Sequence, residues 1–181
     1  AWADIDNDGW IDLYVGNAEQ PNRLYRNLGN GRFEERSAAA GVDNEGRSQV
    51  VLFADVDLDG WIDMYVANIN TENALYRNNG DGTFTDIVET SGTTDRLVAM
   101  GSLFFDYDND GDPDLYLTHD NRKEFILYQN DGKGRFTNVA AAAGVDYAGF
   151  GMGVDVGDVN RDGWLDLYIT NLYENVLFLN K

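Results

Sequence analysis

The sequence predicts an all-β protein made of propeller-type blades, each with four antiparallel strands. Three observations lead to this fold class. A nine-residue loop rich in aspartate recurs four times at intervals of about 51 residues. A block of the form Leu-Tyr/Phe-x-Asn keeps step with these loops, and the residues between them form short apolar runs separated by glycine turns. About four such runs fall in each interval, which is the number of strands in one propeller blade.

The repeat divides a single domain into about three and a half units. The units are residues 1–54, 55–105, 106–157 and a partial unit, 158–181. Only Ala1, Trp2 and Ala3 precede the first loop, and the last unit stops after its third predicted strand. Because an incomplete blade exposes strand edges, we expect either a longer parent chain or neighbouring copies of this chain to complete the terminal blades.

The second unit shows the elements in order. Strands are predicted at residues 48–54, 61–67, 73–78 and 83–88, with a hairpin turn at residues 79–82 because Asn-Gly-Asp-Gly is turn chemistry. The alanine runs at residues 38–40 and 140–143 are too short to stand as helices alone. We therefore interpret them as crossings between blades.

The composition excludes several classes of function. The chain has 32 Asp and Glu residues, 24 of them Asp, against 13 Lys and Arg, and its net charge is −19. Such a surface repels phosphate backbones and anionic lipid headgroups, so we expect no nucleic-acid partner and no membrane insertion. A hydrophobic content of 43% is too high for a disordered acidic tail, and zero Cys excludes disulfides and thiolate chemistry.

The aspartate loops have the spacing of a site for a hard cation. Positions one, three, five and nine offer side-chain oxygens, position seven offers a carbonyl oxygen, and the glycine at position six permits a sharp turn. The predicted metal-site residues are Asp4, Asp6, Asp8, Trp10, Asp12, Asp55, Asp57, Asp59, Trp61, Asp63, Asp106, Asp108, Asp110, Asp112, Asp114, Asp158, Asn160, Asp162, Trp164 and Asp166.

Calcium suits these loops better than magnesium, because a cage of protein oxygens at flexible distances fits the larger ion. The alternative is that the loops are only polar turns. Two carboxylates roughly 5 Å apart repel by about 3 kcal/mol at an effective dielectric constant of about 20, which favours a bound cation. We expect about four structural Ca²⁺ sites, one in each loop, and weaker binding in the fourth because Asn160 replaces an aspartate.

These loops and the Leu-Tyr/Phe-x-Asn block resemble the FG-GAP/VCBS repeat family, the calcium-loop blades of integrin alpha-subunit propellers and many bacterial surface proteins. The resemblance covers essentially the whole chain and is nearest to the bacterial branch found beside ASPIC/UnbV-type segments. Only Phe150-Gly151 keeps the family's Phe-Gly element, and no Gly-Ala-Pro follows any strand. The resemblance implies a secreted bacterial or cell-surface propeller that serves binding or adhesion, with no ligand named.

The tryptophans at position seven permit two interpretations. The third loop has Asp112 at this position, and the other loops have Trp10, Trp61 and Trp164. We favour packing of each ring on the next blade over an exposed aromatic row for sugar or protein contact.

Strand alternation places the Asp loops and the Asn-Gly turns at one end of the blades. The connections at residues 18–22, 69–72, 120–124 and 172–174 lie at the other end. These connections vary in length and sequence, and variable loops on a rigid scaffold are where binding usually occurs.

Catalytic groups are scarce. His119, the only histidine, takes the place of Asn17, Asn68 and Asn171 in the other repeats, and four scattered serines suggest no triad. We therefore predict a non-enzymatic, calcium-stabilised extracellular module for adhesion, protein or carbohydrate binding, or self-assembly. The alternative is the propeller of a hydrolase or lyase acting on a polysaccharide, which a cleft with two unligated carboxylates would favour.

Overall fold

A computed structural model describes residues 1–181 and confirms the predicted architecture of propeller-type blades. It contains three four-stranded antiparallel sheets, one three-stranded sheet and one two-stranded ribbon. Each of the four larger sheets is one blade, and within a blade each strand pairs with the next strand of that blade. None of the helices has the length and apolar character needed to cross a membrane.

Blades one and two have the same plan. Blade one contains β1 (Trp2–Ala3), β2 (Asp12–Val15), β3 (Arg23–Asn27) and β4 (Phe33–Glu35), followed by the one-turn helix α1 (Ser37–Ala40). Blade two contains β5 (Ser48–Ala54), β6 (Asp63–Asn68), β7 (Ala74–Asn78) and β8 (Phe84–Asp86), followed by α2 (Val88–Ser91). The register is also the same, since Tyr14 lies opposite Leu24 and Tyr65 lies opposite Leu75.

Blades three and four complete the chain. Blade three contains β9 (Ala99–Phe105), β10 (Asp114–His119), β12 (Ile126–Asn130) and β13 (Phe136–Asn138), with β11 (Lys123–Glu124) in its long connection and α3 (Ala140–Ala143) after it. β14 (Ala148–Gly149) pairs with β11, and blade four contains β15 (Gly151–Gly157), β16 (Asp166–Asn171) and β17 (Val176–Phe178). β17 pairs only with β16, so its other edge is open.

The strand bounds of blade two differ slightly from the prediction. The first strand lies at Ser48–Ala54 as predicted, but the second begins at Asp63 rather than at residue 61. The reason is that the Asp63 carboxylate accepts bonds from two backbone N–H groups, which keeps residues 61 and 62 in the loop. The third strand begins one residue late, and the fourth ends two residues early.

The segments predicted as simple crossings contain single turns of helix. Both alanine runs are helical, at α1 and α3, and Val88–Ser91 is the corresponding turn after blade two. Each turn ends at a glycine with positive φ, such as Gly41 at 76°. Tertiary contact makes such short helices possible, since the buried Ser37 hydroxyl accepts a hydrogen bond from the Leu24 N–H.

The hydrophobic core lies between adjacent blades. Three clusters fill the three interfaces, and the same tyrosine of the second strand, Tyr14, Tyr65 or Tyr116, is fully buried in each. Because both faces of an inner blade are covered, β6 is buried along its whole length. The blades therefore form one continuous stack, which holds the aspartate loops side by side at one end.

Candidate metal centre

Each aspartate loop joins the first two strands of its blade and has one backbone geometry. Position four adopts positive φ in all four loops, at Asn7, Leu58, Asn109 and Arg161, and so does the glycine at position six. The carboxylate at position one accepts bonds from the N–H groups of positions five and six, as Asp55 does from Asp59 and Gly60 at 3.1 and 2.9 Å. The first aspartate thus stabilises the turn itself.

Position nine connects the loop to the third strand. In loop two, Asp63 Oδ2 accepts from the Val56 N–H at 2.9 Å, and Oδ1 accepts from the Asn78 N–H at 2.7 Å. The same pair of bonds recurs in all four loops, at Asp12, Asp63, Asp114 and Asp166. This aspartate therefore holds the two ends of the site together as well as offering an oxygen to it.

Position three has the feature that most favours a metal site. Asp6, Asp57 and Asp108 each have one buried oxygen, Oδ1, without a hydrogen-bond partner. Buried polar atoms are almost always satisfied in folded proteins, so one unpaired oxygen at the same place in three repeats calls for a ligand. Carboxylate oxygens bind hard cations readily.

The loops bring together nine of the predicted oxygen donors, in slightly different sets. Three carboxylates offer oxygens within 4.8 Å of one another in each of three groups, which are Asp4, Asp6 and Asp8, then Asp55, Asp57 and Asp63, then Asp106, Asp108 and Asp114. Asp12, Asp59 and Asp110 belong to the same loops but lie outside these groups. In loop four, Asp158, Asp162 and Asp166 do not form such a group.

Loop four differs because the Asn160 side-chain amide hydrogen-bonds to the Asp162 carboxylate. Asn160 Nδ2 donates to Asp162 Oδ2 at 2.8 Å, and Asn160 Oδ1 accepts from the Asp162 N–H at 2.9 Å. Asp158, Asn160 and Asp162 are exposed in this loop, whereas Asp57 of loop two is half-buried. Weaker calcium binding in the fourth loop stays a prediction.

In loops one and three, a side chain of the third strand hydrogen-bonds to position three, and this contact was not predicted from the sequence. Arg26 donates to Asp6 Oδ2 at 2.5 Å and to Asp8 Oδ2 at 2.9 Å, while Gln129 donates to Asp108 Oδ2 at 2.7 Å. Both occupy the variable place in the Leu-Tyr/Phe-x-Asn block. Their polar character at that place, in an otherwise apolar run, was the signal available in the sequence.

The electrostatics of the loops favour the neutral form of several carboxyls. Burial raises the pKa of Asp63 and of Asp114 to about 7, although two backbone N–H bonds lower it in each case. Burial first, and then the neighbouring charges, raise the pKa of Asp112 to about 6. A bound divalent cation would relieve this penalty, because it stabilises the ionised form of each carboxyl.

Two of the tryptophan rings lie against the glycine turns of their own blades, and packing of the rings on the next blade stays a prediction. A Cβ placed on Gly29 would come within 2.6 Å of the Trp10 ring, and one on Gly80 within 2.8 Å of the Trp61 ring. The Trp10 and Trp61 rings therefore lie against the glycine turns of their own blades. The cause is the close approach that a glycine backbone permits where the turn and the loop leave the same end of the blade.

His119 has a structural place. Its ring is fully buried, with Nε2 2.9 Å from Asp95 Oδ2 and Nδ1 2.6 Å from the carbonyl oxygen of Glu124. Asn68 makes the matching bond to the Glu72 carbonyl in blade two. The imidazole thus replaces an asparagine in holding the connection, and both ring nitrogens are already in use.

The fold and the loops define a class, the propeller-type repeat proteins whose blades each contain an acidic loop. The model of the FG-GAP-like repeat matches residues 4–66, 55–117 and 106–169, and the chain therefore belongs to this family. The resemblance seen in the sequence is confirmed.

Curated relatives share the repeat region. The chain is 29% identical over 173 residues to Cartilage acidic protein 1 of Mus musculus and 28% identical to that of Homo sapiens. Each alignment covers 88% of this chain and 26% of the relative, so the chain spans about a quarter of the length of these proteins.

Two solved structures share the fold. A lectin from Agrocybe aegerita, described as recognising non-reducing terminal N-acetylglucosamine, matches with a TM-score of 0.61 and 22% identity, over 100% of this chain and 49% of the lectin. BBS1N, solved in complex with ARL6DN, matches with a TM-score of 0.60 and 11% identity, over 100% of this chain and 56% of that chain. At these identities the likeness shows the fold alone.

Proposed function

We propose that this chain is a non-catalytic extracellular binding module whose blades are stabilised by calcium ions in the aspartate loops. The observation that carries the calcium assignment is the buried, unpartnered Oδ1 at position three of the first three loops. An unpaired buried carboxylate oxygen costs free energy in every folded molecule, and it lies beside two further carboxylates in each case. A divalent cation would pair with the unpartnered oxygen and would also offset the repulsion among the three carboxylates.

The oxygen ligands and the loop geometry favour calcium among divalent cations. The available donors are carboxylates and backbone carbonyls, with no histidine or cysteine near them, which disfavours zinc. All donors come from a single tight loop, which suits the flexible coordination of calcium. When bound, the ion would supply positive charge that joins the two strands of the loop, and Asp6, Asp57 and Asp108 would hold it.

Thermal unfolding in calcium and in excess chelator tests the calcium assignment. We expect the midpoint to fall by roughly 10 °C or more on chelation, because the ions bind only the folded state. Asp57→Ala should remove one ion from the stoichiometry measured by calorimetric titration, whereas Asp43→Ala, at an exposed position outside the loops, should leave all ions in place. An unchanged midpoint under full chelation would overturn the assignment.

A binding role and an extracellular location have indirect support. The connections opposite the aspartate loops differ between repeats, and β11 and β14 form an extra ribbon there. The lectin with the same fold recognises a sugar, and the curated relatives are named for cartilage, a tissue rich in extracellular matrix. We propose that protein or carbohydrate ligands bind at this connection end of the blades.

A glycan array read with labelled protein, with and without calcium, tests ligand class. Glycans ending in N-acetylglucosamine are the first probe, with galactose-terminated glycans as the matched control. Binding that survives Tyr147→Ala and Tyr173→Ala, two exposed aromatic residues of the connection end, would contradict the proposed location. Release of sugar from a uronic-acid polymer would instead support the alternative of an enzyme propeller.

A further inference from the structure

The extra ribbon at the connection end forms part of an open pocket of about 540 Å³. Lys123, Glu124 and Ala148 of strands β11 and β14 line this pocket, together with Phe125 and the start of α3 at residues 140–141. All of the lining residues belong to blade three and to the crossings on either side of it. The pocket is therefore a feature of one four-stranded blade.

An ion pair occupies the corresponding place in blade two. Arg96 pairs there with Glu72 at 3.2 Å. The counterpart of Glu72 is Glu124, because the carbonyl oxygens of both accept from the end of the second strand. The counterpart of Arg96 is Ala148, since each lies four residues after the glycine that ends the helical turn. An alanine thus leaves open the space that an arginine covers in blade two.

Blade one has a different ion pair in the same region. Arg23 of the third strand lies 3.9 Å from Glu35 of the fourth strand. Strand pairing gives their counterparts in blade three as Ile126 and Asn138, which are uncharged. Uncharged residues therefore replace charged ones at three positions around the pocket.

Four charged side chains line the pocket, and none of them is in an ion pair. They are Arg122, Lys123, Glu124 and Asp146. An anion would meet two carboxylates there, and a cation would meet a guanidinium and an ammonium group, so neither charge is favoured. The basic groups donate hydrogen bonds, the carboxylates accept them, and much of the remaining lining is apolar. A neutral ligand with many hydroxyl groups and an apolar face suits such a lining.

The charged rim of the pocket is held by contacts within the protein. Asn121 and Arg122 both adopt positive φ, at 62° and 56°, which residues other than glycine rarely adopt. The Arg122 guanidinium carbon lies 5.7 Å from the centre of the Phe150 ring. The Glu124 carbonyl oxygen lies 2.6 Å from His119 Nδ1. Because these residues are restrained already, less conformational freedom is lost when a ligand binds.

We propose that this pocket binds one neutral sugar residue of a glycan, whose hydroxyl groups bond both the carboxylates and the basic side chains. This inference rests on the proposed binding role of the connection end, and it adds the position of the site and the class of ligand. A volume of about 540 Å³ is within the range of ~300–1,000 Å³ that is usual for small-molecule sites. Tyr147 packs on Phe125 with 5.8 Å between the ring centroids, so Tyr147→Ala should also weaken binding.

Titration with monosaccharides, followed by NMR of the backbone amides, tests the class of ligand. The neutral probes are N-acetylglucosamine, galactose, glucose and mannose, and glucuronic acid is the charged counterpart. We expect at least one neutral sugar to shift the amides of Lys123 and Ala148 saturably, with a dissociation constant of about 1–10 mM. No saturable shift with any neutral sugar, or tighter binding of glucuronic acid, would overturn the proposal.

Filling the pocket tests its position. Ala148→Arg restores the arginine that blade two has, so it should pair with Glu124 and lower the sugar affinity by about tenfold or more. Ala142→Arg adds the same charge at an exposed position of α3 outside the pocket and should leave the affinity unchanged. Asp146→Asn should lower the affinity several-fold, and thermal midpoints check that each variant is folded. Unchanged affinity in folded Ala148→Arg would overturn the pocket as the site.

The glycan array separates this inference from the proposed function. Array binding that is lost in Tyr173→Ala but kept in Ala148→Arg would leave the connection end as the binding surface and overturn the pocket. A protein ligand bound at the connection end, with no glycan bound, would likewise leave the proposed function and overturn the sugar assignment. Loss of array binding in Ala148→Arg, with binding retained in Ala142→Arg, is the result expected.

Discussion

Loop two and loop four have the same backbone and different chemistry. Leu58 and Arg161 both adopt positive φ, at 57° and 64°, and the glycine at position six follows in each loop at 90° and 91°. The backbone hydrogen bonds to positions one and nine are also the same. The decisive difference is position three, where Asp57 has a buried unpartnered oxygen and Asn160 donates to its neighbour.

The comparison separates the shape of the loop from its charge. Hydrogen bonds from backbone N–H groups to two carboxylates are enough to close the turn, since loop four closes without a cluster of three close carboxylates. The additional carboxylate in loop two therefore brings a negative charge that closing the turn does not require. A group that is costly and unnecessary for folding is best explained by a ligand.

Removal of position nine should have the largest effect. Asp63→Ala leaves the Val56 and Asn78 N–H groups without their partner in a buried site, and it also removes a proposed calcium ligand. We expect a loss of about 3 kcal/mol in the free energy of unfolding in calcium, measured by urea denaturation. Asp166→Ala removes the same hydrogen bonds from loop four and should cost less, because less calcium binding is lost. A larger loss in Asp166→Ala would contradict the difference between the loops.

Exchange of position three should convert one loop into the other. Asn160→Asp should create a tighter site, with calcium affinity in loop four rising by about tenfold, whereas Asp57→Asn should lower the affinity of loop two by a similar factor. In calcium-free buffer, Asn160→Asp should be less stable than the unchanged protein, because no cation balances its added negative charge. Calorimetric titration and thermal unfolding of both variants measure these effects, and equal affinities would remove position three as the determinant.

In the calcium-free protein, the free energy of unfolding should depend on pH because of the buried carboxyls. Burial raises the pKa of Asp63 to about 7 in the folded state, well above the value of about 4 for an unfolded chain. The folded protein therefore holds a proton that the unfolded chain has released. Its free energy of unfolding should fall as pH rises from about 4 to about 7 and then level off.

Calcium should flatten this dependence, because the bound cation stabilises the ionised carboxylate. Urea denaturation at pH 5 and pH 7.5, with and without calcium, makes the comparison. Asp63→Asn should weaken the pH dependence of the free energy of unfolding in calcium-free buffer. If this variant shows the same pH dependence as the unchanged protein, other groups cause the effect.

The smallest effect should come from the arginine at loop one. Arg26 already balances Asp6 and Asp8, so Arg26→Ala should raise the calcium affinity of loop one by several-fold while changing stability in calcium by less than about 1 kcal/mol. Arg36→Ala, which removes an exposed pair with Glu34, is the control and should change neither quantity. A fall in affinity would show that Arg26 organises the site rather than competing with the cation.

Most of the loop was predictable because its information is local. The positions of Asp55 and Asp63 follow from the nine-residue pattern of the loop, and the sharp turn follows from Gly60. Strand bounds were less accurate because they depend on where hydrogen bonding to Asp63 ends the loop. The role of Arg26 could not be predicted, since its contact with Asp6 joins residues twenty positions apart.

The sequence by itself determined the blades, the order of their strands and the four loops, because each of these depends on periodicity and turn chemistry within about 50 residues. Only the tertiary structure decided that Trp61 lies on Gly80 of its own blade and that Asp57 retains an unpartnered oxygen. Ring packing and oxygen pairing depend on which atoms of distant segments come into contact. These contacts form only when the strands assemble and the blades stack.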